Sequence, residues 1–228
     1  MIPLVSISHL IALPFLAFVA FRLCLSFQRT KEKNIRYFFL VFLMLTIMGS
    51  LLASPGLIFK SLTKIDTVFA LYPMFVLLSL GFFGAIPFNI LNKKRAEKLF
   101  LGVMFFMAIF VTMINLGNIQ PAIVQQQPPF IYWEDTRGLP MNIFLGVISG
   151  LILCSLLVFF LINGLKSPDR YVKIRSFLIS GGIISLFLAA IINFAFGAIL
   201  RQYVTSLIST FLIIISSIFV FTGVLYKK

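Results

Sequence analysis

Long apolar runs separated by short polar or basic segments make up almost the whole chain. Seven of them stand out: Pro3–Phe27, Arg36–Phe59, Asp66–Leu91, Glu97–Gly117, Met141–Gly164, Ile174–Ile199 and Tyr203–Tyr226. Each reaches the roughly 20 mostly apolar residues that a membrane-crossing helix requires. The runs are continuous, not alternating, which excludes the strands of an outer-membrane barrel. The pattern predicts an all-α membrane protein, a single seven-helix bundle over residues 1–228. The first run has no basic stretch ahead of it, is too long for a signal-peptide core and shows no small-residue cleavage pattern, so it reads as a mature helix.

Composition agrees with this pattern. The chain is 61% hydrophobic and 11% charged, against about 25% charged in soluble domains. A soluble domain, a disordered tail and a disulfide scaffold are thereby excluded. The net charge of +13 would suggest nucleic acid in a soluble protein. Its distribution says otherwise. One set of helix ends and connections holds Arg22, Arg29, Lys31, Lys33, Arg36, Lys93, Lys94, Arg95, Lys98, Lys166, Arg170, Lys173, Arg175, Lys227 and Lys228. The opposite set holds only Lys60, Lys64, Arg137 and Arg201. The positive-inside bias then predicts a plasma-membrane protein with an outside N-terminus and a cytoplasmic C-terminus. The basic rim would meet anionic lipid headgroups, and no nucleic-acid partner is expected.

Little catalytic chemistry is present. No helix centre carries Asp, Glu or Lys, the groups that build proton relays and ion pathways. One histidine cannot make a histidine-rich zinc site. GxSxG, P-loop and GxGxxG motifs are absent. The expectation is a non-enzymatic protein with no cofactor and no metal. Cys24 and Cys154 are the only cysteines, and neither lies in an outer connection, so no disulfide is expected.

Other features lie within the runs. Pro14, Pro55, Pro73 and Pro87 can kink the first three helices. Gly81 and Gly84, Gly146 and Gly150 (a GxxxG), and Gly181 and Gly182 are candidate close-packing positions between helices. The GxxxG is also a candidate face for a homodimer. The 23 residues 118–140 form the one long connection. Within it Ala122–Val124 and Phe130–Trp133 can pair as a hairpin across Gln125–Pro129. Such a loop can serve as an aromatic anchor at the membrane surface or as a lid.

Two stretches echo each other. Asn34-Ile35-Arg36-Tyr37-Phe38-Phe39 opens the second helix, and Lys173-Ile174-Arg175-Ser176-Phe177-Leu178 opens the sixth. Helices one to three and five to seven would then be parallel repeats joined by the fourth, a three-plus-one-plus-three plan found in some sugar facilitators. The proline-glutamine signature of those proteins is absent.

From Asp169 onward the chain runs Tyr171-Val172-Lys173-Ile174-Arg175-Ser176-Phe177-Leu178-Ile179-Ser180-Gly181-Gly182, then Asn193, and closes on Gly223-Val224-Leu225-Tyr226-Lys227-Lys228. This resembles the seven-helix N-terminal sensor region of bacterial histidine kinases. The resemblance implies an outside N-terminus and a last helix leading to a cytoplasmic output domain. No kinase, cyclase or phosphatase domain lies within these residues, so the resemblance implies either a stand-alone relative or a module whose output belongs to a protein partner.

Three functions fit these features. The first is a sensory or receptor-like module binding a small ligand in its outer half, lined by His9, Asn115 and Asn193 and capped by Trp133, Glu134, Asp135 and Arg137. It predicts a pocket opening beneath residues 118–140. The second is a facilitator of a neutral solute, with a central cavity reaching each face in turn. The third is a structural or assembly subunit with a filled core.

Overall fold

The structure, a computed structural model, describes residues 2–127, 129–134, 138–194 and 202–226. Among these residues seven helices are long and apolar enough to cross a membrane: α1 (Leu4–Thr30), α2 (Lys33–Ala53), α3 (Leu62–Ile90), α4 (Lys94–Gly117), α5 (Gly138–Lys166), α6 (Arg170–Phe194) and α7 (Gln202–Leu225). One end of the bundle gathers the basic connections and is called here the basic end. The other carries a small sheet and is called the hairpin end.

Most helices run a little past their apolar cores into the charged flanks. The exception is α2, which stops at Ala53 and not at Phe59. Pro55 has no N–H for an intrahelical bond. The chain instead turns over Ser54–Phe59, where Ile58 N and Phe59 N both donate to Ser54 O, at 2.8 and 3.1 Å. The expected end of the sixth helix, Ile199, lies outside the described residues.

The sheet has three strands, β1 (Ile2–Pro3), β2 (Ile123–Gln127) and β3 (Phe130–Glu134), in the order β1-β3-β2. A hairpin forms within 118–140, with Val124 opposite Trp133, but its bounds differ from those expected: Ala122 lies outside β2, and Gln125–Gln127, expected in the turn, continue the strand opposite Tyr132, Ile131 and Phe130. The N-terminal strand, which the apolar pattern hid inside the first helix, runs parallel to β3, and Ile2 N donates to Pro129 O at 2.9 Å.

Packing follows chain order, with one exception. Successive neighbours α1, α2 and α3 are joined through α5 to α6 and α7, and α7 returns to α1. Six helices therefore close a ring. The fourth stands outside it, packed chiefly on α3. Its far face presents Leu99, Val103, Phe106, Phe110 and Met113 outward, as a lipid-facing helix should. Replacing α1, α2 and α3 by α5, α6 and α7 maps the ring contacts onto themselves: α1–α2 becomes α5–α6, α2–α3 becomes α6–α7, and α1–α7 becomes α5–α3. The echo between Arg36 and Arg175 thus has a counterpart in the packing.

Small residues set the close approaches. A Cβ on Gly84 would lie 2.6 Å from Phe100 Cζ and 3.4 Å from Ile152 Cγ2, at the place where α3 meets both α4 and α5. Gly81 faces Met104 of α4, Gly150 faces Phe187 of α6, and Gly181 faces Phe219 of α7. Gly146 is half-buried on α5. The tightest seam is α6–α7: a Cβ on Gly182 would come within 3.0 Å of Ser216 O, and one on Gly223 within 3.1 Å of Arg175 O.

Candidate functional site

At the basic end the ring encloses a vestibule of about 210 Å³. Its polar lining is Glu32, Asn34, Arg175 and Ser176, and its apolar wall includes Ile86, Phe160 and Ile179. The two echoing segments therefore line the same cavity, Asn34 to Phe38 from one side and Val172 to Ile179 from the other.

Each polar group is fixed by its element. Glu32 sits at the start of α2, just after α1 has ended with Lys31 in the left-handed region (φ 58°). Asn34 accepts a hydrogen bond from Asn89 Nδ2 at 2.7 Å, which ties α2 to α3. Arg175 reaches from α6 to the end of α7, donating from Nε to Gly223 O at 3.2 Å and from Nη2 to Val224 O at 3.1 Å. Those carbonyls close a helix, where backbone acceptors lack intrahelical partners and the dipole favours a cation. The guanidinium is thereby held in place with donors to spare.

Above the vestibule the ring closes. Phe38 lines it and also lines a second, mid-bundle space with Phe42, Phe83, Leu186, Ser216 and Val220, which has no room for a water. The Phe38 and Phe83 rings meet edge to face, 5.8 Å apart. Along α7, buried hydroxyls run from this layer toward the hairpin end: Ser217 and Ser216 within it, then Thr210, Ser209, Ser206 and Thr205. At about 100° per residue they fall within one sector of the helix. Ser206 shares a hydrogen bond of 2.9 Å with Ser8 of α1. Ser216 Oγ is buried without a partner.

The hairpin end is capped over α1–α3. Trp133 of β3 is buried with Ile65, Phe69 and Ala122, and Leu52, Phe59 and Leu62 pack around them. Gln120 N donates to the buried Asp66 carboxylate at 3.1 Å.

The residues expected to line an outer ligand site lie on three different helices. His9 is half-buried on α1, and Asn193 is half-buried at the last described turns of α6. Asn115 is buried on α4, outside the ring. No hydrogen bond between described side chains joins these three. Asp135 and Arg137 lie outside the described residues, and Glu134 is described by its backbone alone.

Three residues that the apolar pattern did not single out are prominent instead. Arg175 could have been found from its echo with Arg36. Gly223 could have been found as a small residue near the end of the last run. Glu97, 2% exposed, accepts a hydrogen bond from Tyr37 and pairs with Lys33 Nζ at 2.6 Å, fastening the detached α4 to α2. No protein-family model, characterised protein or solved structure matches the chain.

Proposed function

We propose that the protein is a facilitator of a small, net-neutral solute, built as two parallel three-helix repeats around a central path. The observation that carries this reading is the ring itself, whose contacts are preserved when α1–α3 exchange with α5–α7 while α4 stays outside as the link. Parallel repeats of this kind suit alternating access, in which one repeat rocks against the other about a site near mid-membrane. The two seams, α1–α7 and α3–α5, are where such rocking would occur. The vestibule is then the opening to one face, the Phe38–Phe83 layer the closed barrier, and the hydroxyl face of α7 the continuation toward the hairpin end.

The positive-inside bias orients the basic end to the cytoplasm and the N-terminus outside, with anionic headgroups around the basic rim. No titratable side chain is among the residues lining the mid-bundle space, which favours passage of an uncharged or zwitterionic solute without coupling to an ion gradient. The test is uptake by liposomes containing the purified chain, with a panel of small neutral solutes. The expected result is saturable equilibration of at least one of them, unaffected by proton or sodium gradients. Folded protein that speeds none of them over protein-free liposomes overturns the reading.

The capped hairpin end favours a second reading, a sensor. Trp133 is wedged against the α2–α3 turn, so a ligand displacing it would alter helix packing where α2 and α3 begin to separate. A ligand acts this way only through differential affinity for two packings. That reading predicts a ligand-dependent change in Trp133 emission with no solute flux.

A further inference from the structure

Two charges of opposite sign line the vestibule, Arg175 and Glu32. Neither enters an ion pair among the described residues, where the pair formed is Lys33 with Glu97. Arg175 is held by the carbonyls of Gly223 and Val224 and does not turn toward a carboxylate. The rest of the lining is mostly apolar, with Ile86, Phe160 and Ile179 among it.

We infer that the vestibule binds a zwitterion, a molecule with one carboxylate and one ammonium group on a short apolar body. A guanidinium with unspent donors is a strong partner for a carboxylate. The Glu32 carboxylate and the Asn34 and Ser176 oxygens complement an ammonium, whose N–H groups need only acceptors. A simple anion would meet Glu32 repulsively and a simple cation would meet Arg175 repulsively, so discrimination is built from opposed charges as much as from attraction. The space, about 210 Å³, has room for several waters and so for a small organic solute. Transport of this molecule rests on the facilitator reading above, whereas its binding rests on the vestibule alone.

The experiment uses the full chain in lipid nanodiscs and measures binding calorimetrically with four probes. Leucine carries both charges, leucine methyl ester only the ammonium, N-acetylleucine only the carboxylate, and xylitol neither. Leucine is expected to bind at least about tenfold more tightly than the other three, the difference that ~1.4 kcal/mol produces. Substitution Glu32→Gln, at an exposed position, should weaken leucine by about tenfold and leave N-acetylleucine equal or better, since it removes a charge-assisted bond to the ammonium and the repulsion toward a carboxylate. Arg175→Lys should weaken N-acetylleucine more than leucine methyl ester, though it also loosens α6 from α7, which is why Glu32 carries the decision. Equal binding of all four probes, binding of none, or a ranking unmoved by Glu32→Gln overturns the assignment. Liposome uptake separates the two proposals. Leucine that binds in a Glu32-dependent way while no solute of the panel crosses sinks the facilitator reading and leaves the site standing. Xylitol that crosses while leucine does not bind sinks the site and leaves the facilitator reading standing.

Discussion

Gly56 and Trp133 are fitted to each other across 77 residues of chain. Gly56 takes φ +73° in the turn after α2, and a Cβ there would collide with the Trp133 indole and lie 3.1 Å from Pro3 Cβ. Only glycine satisfies both the dihedral and the space. The contact locks β1, β3 and the α2–α3 turn into one cap. Substitution Gly56→Ala should cost roughly 1–2 kcal/mol from the left-handed backbone alone, with the steric displacement of Trp133 added. Trp133 is the only tryptophan, so its emission reports the cap directly. A red-shifted emission and a lowered unfolding midpoint are expected. Gly102→Ala, where nothing lies within 4 Å, should leave both unchanged or raise stability slightly.

Two adjacent glycines on α6 make a sharper comparison. Gly182 faces Val220 and Ser216 O closely enough that a methyl group forces the helices apart, whereas Gly181 meets Phe219 at an ordinary 3.5 Å. Membrane helices associate largely through such packing, since lipid offers no hydrophobic gain. Gly182→Ala should destabilise by about 1–3 kcal/mol, while Gly181→Ala should be near neutral. Thermal unfolding in detergent distinguishes the two. Equal losses would mean that the α6–α7 seam is looser than its backbone spacing indicates.

Much of this architecture is visible in the sequence because lipid imposes it. Runs of about 20 apolar residues must be helices, since their backbone groups have no water to bond. The hairpin is legible for a different reason, as two short β-prone runs lie either side of Gln125–Pro129, although the three glutamines extend the strand and do not form the turn. What stays hidden is which helix lies beside which. Lipid-facing and ring-facing positions are both apolar, so periodicity does not reveal that α4 leaves the ring, and Asn115 looks as central as Asn193. Glu97 likewise reads as one more boundary charge, because nothing in its neighbourhood predicts Tyr37 above it. Arg175 was visible in the echo with Arg36, but its bonds to α7 depend on α6–α7 adjacency. Pro55 was expected inside the second helix, and it ends that helix because the turn it starts is held by Ser54 O.

The Tyr37–Glu97–Lys33 group should behave as a coupled unit. Glu97 is buried, one oxygen is engaged by Tyr37 and Lys33, and its Oε2 has no partner. Removing the Tyr37 hydroxyl leaves the carboxylate poorer still, and losing a hydrogen bond to a charged group costs about 1.5–3 kcal/mol. Tyr37→Phe should therefore destabilise substantially in the native background. In a Glu97→Gln background the acceptor is neutral, and the loss should shrink. A double-mutant cycle by chemical unfolding should give a coupling of about 1 kcal/mol or more. Additive effects would mean that Glu97 is held by Lys33 alone, and α4 would then be tied to α2 only at the exposed edge.

The barrier assigned to Phe38 predicts a change in access. Phe38 is the residue common to the vestibule and the mid-bundle space, and Ser216 lines the second but not the first. With Cys24 and Cys154 replaced by alanine, a Ser216→Cys variant should react slowly with a membrane-impermeant thiol reagent added at the basic end, because the space around it excludes water. Adding Phe38→Leu shortens the barrier while keeping an apolar side chain, which limits the packing loss that Phe38→Ala would bring, about 3–5 kcal/mol for a buried phenylalanine. Labelling should then accelerate by about tenfold or more, the change expected when ~1.4 kcal/mol is removed from an opening barrier. The same variant should raise solute uptake if Phe38 limits flux. Accelerated labelling without faster uptake would place the limiting step at the hairpin end, where Trp133 seals α1–α3. Labelling unchanged by Phe38→Leu would mean that Phe83 and Leu186 close the path by themselves.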